Sequence, residues 1–259
     1  MQTVWSGHIS FGLVTIPVKM LRATKSRSIS FNYVHRECET PLKYQRYCPE
    51  CDEVVPWEDV ERGYEYDKGK WVIIEEDDLE SIDLPNPENI DILQFTDLEE
   101  IDPIYFNKSY YLTPEEGAEK AYALLGKVMQ NTEKVALAKV VIRTKQHLCC
   151  LRWFDGSILL ETMYYPNEIR PVEEVLVKRS DIEVRSNELR MARQLIESMT
   201  DEFRPDELED EYRKELLKII ESKASGIEIE AEPEKEEEEP ESLVQALKRS
   251  VETAKATQK

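Results

Sequence analysis

Hydrophobic and polar positions change their period several times along this chain, and each change marks a different kind of element. Ile9, Phe11, Leu13 and Thr15, then Ile16-Pro17-Val18, make short β-rich runs cut by Gly12 and Pro17, so residues 4–34 are expected to form strands. Residues 35–56 are polar, rich in turn formers and bear cysteines. Tyr64-Glu65-Tyr66 and Trp71-Val72-Ile73-Ile74 flank Asp67-Lys68-Gly69-Lys70, the pattern of a β-hairpin. Residues 75–103 are acidic and read as short segments broken by Pro85, Pro87 and Pro103. A period near 3.6 then appears. Thr113-Pro114-Glu115-Glu116 has the form of a helix start, with a capping residue, proline at the first helical position and a reciprocal acid. Ala118, Ala121, Tyr122, Leu125, Val128 and Met129 follow at helical spacing, which predicts a helix burying one stripe. Period two returns over 135–165, where Val140-Val141-Ile142, Leu148-Cys149-Cys150-Leu151 and Ile158-Leu159-Leu160 are strand candidates and Asp155-Gly156 is a turn.

Sheet dominates this reading to about residue 185, and residues 186–223 are expected to be helical. Leu189, Ala192, Leu195, Ile196, Met199 and Phe203 form one stripe, Pro205 interrupts, and Leu208, Tyr212, Leu216, Ile219 and Ile220 form another. A long helical pair after a β-rich body has little left to pack on within one chain, so it reads as an arm that packs on another. Residues 224–241 hold a like-charge run rich in glutamate, the composition of an extended linker. Leu243, Val244, Leu247 and Val251 then revive a helical stripe over 242–259. A helix that short is marginal alone in water, and one that needs a partner to fold is in physical terms a docking peptide.

Charge sharpens this picture. The 259 residues carry a formal net charge of -20, but residues 1–49 are net +5 and residues 50–102 net -17. An acidic chain need not repel nucleic acid when its cations share one surface and its anions lie elsewhere. No run of about 18 apolar residues is present, so no membrane span is expected. The first residues have no basic stretch leading into an apolar one, so no secretory signal is read and the expected location is cytoplasmic. Five cysteines are too few for a disulfide scaffold of this size.

Four residues have metal-ligand spacing: His35, Cys38, Cys48 and Cys51. Cys-x2-Cys aims two soft ligands at one ion, and a second pair completes a tetrahedron suited to zinc. Four protein ligands would leave no open position, so such an ion would be structural. The alternative is that these are loop thiols beside an ordinary histidine. Cys149 and Cys150 are adjacent on an apolar strand and read as packing residues on opposite faces.

Nothing in the chain demands an enzyme. The carboxylates of 75–102 read as a solvated acidic face, His8 and His147 lack a partnered nucleophile, and no glycine-rich phosphate loop occurs. The basic residues are more informative. Lys19, Arg22, Lys25 and Arg27 crowd the first strands, Lys43 and Arg46 follow, and Lys139, Arg143, Lys145 and Arg152 lie on the second set, with Arg170 beyond. If these converge they form a phosphate-binding stripe; if not, they are ordinary surface charge. Period two puts Arg143 and Lys145 on one strand face.

Trp5-Ser6-Gly7-His8-Ile9-Ser10-Phe11-Gly12-Leu13-Val14-Thr15-Ile16-Pro17-Val18-Lys19 closely resembles the opening of the prokaryotic Ku proteins. The resemblance continues at Arg62-Gly63-Tyr64-Glu65-Tyr66, at Tyr110-Tyr111-Leu112-Thr113-Pro114 and through Leu159–Arg170, and it closes at Leu243–Val251. It implies a mixed α+β fold: a β-barrel core with a helical insertion and a C-terminal helical arm, in a ring-shaped homodimer. Residues 1–185 would be the core, with the cysteine loop at 35–51; 186–223 the arm; 224–241 the linker; and 242–259 the docking helix. It further implies a nucleoid-associated, non-catalytic protein that encircles double-stranded DNA ends and recruits DNA ligase D in non-homologous end joining. Arg143, Lys145, Arg152 and Arg170 are then the first choices for phosphate contact, followed by Lys25, Arg27 and Lys43. Leu243, Leu247 and Val251 would dock the ligase. No catalytic cofactor is implied, and the ligands of a structural zinc are present in some members and absent in others. Rival readings are a zinc-stabilised adaptor that touches no nucleic acid, favoured by the bulk acidity, and a carboxylate-based hydrolase, favoured only by the abundance of Asp and Glu.

Overall fold

A computed structural model describes residues 2–82, 87–174, 184–226, 246, 247, 249 and 250, and the chain divides into two compact units at Pro171/Val172. The first unit is built on a closed barrel. Its strands are β1 (Thr3–Phe11) and β2 (Val14–Arg22), joined by a tight turn in which Gly12 takes a φ of 58° that costs glycine little. Pro17 does not break β2; it pairs with His8 inside the strand, and its carbonyl accepts from the Glu115 amide at 3.0 Å.

Between β2 and the next barrel strand the chain makes a long excursion. It contains β3 (Tyr47–Cys48), β4 (Glu53–Val54), β5 (Arg62–Asp67), β6 (Lys70–Ile74) and the one-turn helix α1 (Glu76–Glu80). β5 and β6 form the expected hairpin, with Gly69 at a φ of 75° in its turn. Its large side chains, Tyr64, Tyr66, Trp71 and Ile73, are all exposed.

The barrel resumes at β7 (Asn89–Asp97), a strand hidden in the sequence by its acidic surroundings. It then adds β8 (Phe106–Pro114), the helix α2 (Glu119–Thr132), β9 (Lys134–Ile142), β10 (Lys145–Phe154) and β11 (Ser157–Met163). The closed order is β1-β2-β8-β11-β10-β9-β7, antiparallel throughout except where β7 runs parallel to β1 and shuts the seam. The helix start expected at Thr113 does not form. Thr113 and Pro114 pair with Lys19 and Val18 of β2, and α2 begins only after Gly117 turns the chain at a φ of 88°. A sheet partner outside the local window outweighed a good capping sequence.

Alternate residues fill the barrel. Ile16, Val18 and Met20 of β2, Tyr110 and Leu112 of β8, Ala136, Ala138 and Val140 of β9, Cys149 and Leu151 of β10, and Ile158 and Leu160 of β11 form one core. Each large apolar side chain so buried contributes roughly 1.5–3 kcal/mol. Tyr122, Leu125 and Met129 of α2 belong to the same core, so the helix stoppers one end of the barrel. The Tyr122 hydroxyl fastens it, donating to the Leu112 carbonyl at 2.5 Å and accepting from the Ile158 amide at 2.6 Å. A smaller cluster on the outer wall holds Cys150 with Ile101, Val135 and Met163. Cys149 and Cys150 are thus packing residues on opposite faces, and burial raises both thiols well above their ordinary pKa.

The second unit contains α3 (Ser186–Met199) and α4 (Glu211–Ala224), separated by a turn at Pro205–Glu207. Leu189, Ile196, Met199, Leu208 and Tyr212 are exposed. Among the described residues, no helix is long and apolar enough to cross a membrane. Leu247 is helical; Leu243, Val251 and the stretch 227–241 lie outside the described residues.

Candidate nucleic-acid interface

The barrel end opposite α2 is where basic side chains meet. The inward row of β10 that carries Leu151 and Cys149 continues to His147 and Lys145 as the strand reaches that end. The inward row of β2, after Ile16, Val18 and Met20, continues to the exposed Arg22. Lys108 sits where β8 bulges against β11, its amide donating to the Thr162 hydroxyl at 3.1 Å. The Ala23 amide donates to the Ser109 carbonyl at 3.1 Å, so the exposed segment bearing Lys25 leaves the barrel at the same end.

Arg143 occupies the two-residue turn between β9 and β10 with a φ of 61°. The expected shared strand face of Arg143 and Lys145 is therefore corrected: only Lys145 is on a strand, and Arg143 projects from the turn beside it. A turn breaks the period-two argument because its residues do not alternate. The chain after β11 folds back to this end. Its turn at Pro166–Glu168 offers the Glu168 carboxylate to Lys145 Nζ at 3.2 Å, which brings the neighbouring exposed Arg170 to the same side. The Tyr165 amide and Lys145 hold the Glu168 carboxyl below its usual pKa. His147 is half-buried among these groups; burial, then Lys145 and Lys108, hold its pKa below 6.5, against an opposing pull from Glu168.

The other sequence candidates lie elsewhere. Arg152 faces the outer wall, where its Nε donates to Glu161 at 2.7 Å and its guanidinium lies over the Phe154 ring at 4.8 Å. Arg27 and Lys43 are exposed on the excursion after β2. Lys108 and His147 were not among the sequence candidates. The one signal for His147 was its spacing from Cys149 and Leu151, which extends an inward row past the point where the core ends.

The four expected metal ligands remain two local pairs. His35 Nδ1 lies 3.2 Å from the Cys38 thiol in a loop closed on itself by the Val34–Pro41 bridge and the bond from the Leu42 amide to the Tyr33 carbonyl. Cys48 and Cys51 share the separate β3–β4 turn, where the amides of Cys51 and Glu50 lower the Cys48 thiol pKa. Among the described residues, no group of three or more His, Cys, Asp or Glu side chains is arranged to hold a metal ion. The tetrahedral zinc set expected from the spacing thus finds no support among the described residues.

Several cations and one histidine ring a barrel end beside the Lys145-paired carboxylate of Glu168, an arrangement suited to binding an anion. Comparison with known proteins points the same way. A family model described as the Ku70/Ku80 beta-barrel domain matches residues 10–192. The "Non-homologous end joining protein Ku" of Desulfitobacterium hafniense is 47% identical over 252 residues, covering 97% of this chain and 87% of that protein. The protein of the same name from Bacillus subtilis is 39% identical over 224 residues, 86% of this chain and 72% of that protein. The one from Archaeoglobus fulgidus is 38% identical over 255 residues, 98% of this chain and all of that protein.

Proposed function

Because this chain belongs to the Ku family, we propose that it binds the ends of linear double-stranded DNA without sequence preference, as a homodimeric ring, in the repair of double-strand breaks by non-homologous end joining. It acts as a scaffold and not as an enzyme. The observation that carries this reading is the gathering of Arg22, Lys108, Arg143, Lys145 and Arg170 at one barrel end. These side chains present the positive charge that phosphates take up, and phosphate contact alone positions a protein on a duplex without telling sequences apart. Lys25, Arg27 and Lys43 extend the surface along the exposed excursion. The exposed apolar stripes of α3 and α4 supply the contact between copies. The segment 242–259 recruits DNA ligase D through Leu243, Leu247 and Val251, and the complex works at the nucleoid in the cytoplasm.

A gel shift with one plasmid, closed or cut once, across a salt series tests the proposal. A ring can thread only onto a free end, so the cut form is expected to bind far more tightly. Log affinity is expected to fall linearly with log salt, by about 0.9 per neutralised phosphate. Equal affinity for the closed and cut plasmids would refute end binding.

A further inference from the structure

His147 stands apart from the other groups at the barrel mouth because its charge is not fixed. It lies on the inward row of β10, one step outside the buried Cys149. The groups that face it are Lys145 on its own strand, Lys108 on the β8 bulge and Glu168 on the turn after β11. The Tyr165 hydroxyl approaches its neighbour Gln146 at 3.5 Å. Two cations and partial burial therefore press on one imidazole, and the Glu168 carboxylate that opposes them is already engaged by Lys145. In the free protein these groups disfavour the charged ring and lower its pKa from the ordinary value.

Bound duplex would reverse that balance. Duplex DNA carries one negative charge per about 1.7 Å of axis, so a backbone laid across the mouth brings several anions to a place where Glu168 already acts on the ring. We propose that His147 is a phosphate-binding residue of this interface, which gains a proton as DNA binds and, as imidazolium, donates a hydrogen bond to a backbone phosphate between Lys108 and Lys145. This rests on the end-binding reading above and adds to it that DNA affinity is linked to pH through one side chain.

The sign follows from the two states. Free, His147 titrates below its ordinary value; bound, it titrates higher; between those two values binding takes up a proton. Affinity is highest at low pH and declines as pH rises through that window, by at most about tenfold per pH unit for one proton. Affinity for a short linear duplex is measured at fixed salt from about pH 5.5 to about pH 8, for the wild type and for His147→Gln. The expected result is roughly three- to tenfold tighter binding at the acidic end for the wild type and a flatter profile for the variant, which lacks the imidazole. In parallel, the imidazole signal of His147 is titrated by NMR with and without duplex, with an expected upward move of about one pH unit in its midpoint.

Identical pH profiles in wild type and variant, with a His147 midpoint unmoved by DNA, would overturn this inference while leaving end binding intact. Wild-type protein that binds no linear duplex at any pH would overturn both.

Discussion

Two basic side chains on β10 are held by different carboxylates. Lys145 is exposed at the barrel mouth and bound to Glu168; Arg152 is largely covered on the outer wall and bound to Glu161, whose side chain is only 14% exposed. An exposed ion pair gains little, and solvent and phosphate compete for it readily. A covered pair loses more when one partner goes, because the other charge stays behind without compensation. Arg152→Ala is therefore expected to cost on the order of 2 kcal/mol, read as a lower urea midpoint, and to leave the salt dependence of DNA binding unchanged. By position along the chain alone, both residues have equal standing as phosphate contacts. Only the alternation of faces along β10 separates them, and that alternation is anchored by knowing that Cys149 points inward.

Elements were legible where the signal was local. The β5–β6 hairpin follows from Gly69 between two β-rich runs, and α3 and α4 follow from their stripes and the proline between them. Elements were missed where distant partners decide. β7 is hidden by its charges, yet Ile90 is fully buried and Asp97 is satisfied by Lys134 at 2.6 Å across the β7–β9 seam. Thr113-Pro114 has every mark of a helix start and is a strand end because β2 is there to pair with it. The mouth of the barrel was illegible for the same reason: Arg22, Lys108 and His147 come together only through strand register. α2 offers a direct test at this scale. A Cβ on Gly126 would stand 2.2 Å from the Trp153 ring, so the helix sits close to β10 only because that position has no side chain. Gly126→Ala improves helix propensity by about 1 kcal/mol yet overpacks the contact by about 1–3 kcal/mol. A net loss is expected, seen as a lower melting temperature.

At the scale of the molecule, charge is sorted by position. Residues 50–102 are net -17, while the barrel mouth gathers cations supplied mainly by β2, β8, β10 and the turn after β11. The division of labour proposed for the tail belongs to this scale too. Deleting 242–259 is expected to leave the affinity for linear duplex within about twofold of the full chain, since the mouth cations are untouched, and to abolish capture of DNA ligase D in a pull-down. Retained capture would remove the tail from that role.

The parallel seam between β1 and β7 also sets a timetable. When only the first eighty or so residues have left the ribosome, β1 and β2 have each other and no other barrel neighbour, and their core faces are bare. The wall is complete only when β11 arrives between β8 and β10. Assembly of this unit must therefore wait for most of its chain, and it relies on contacts between distant segments, the kind that make spontaneous folding slow.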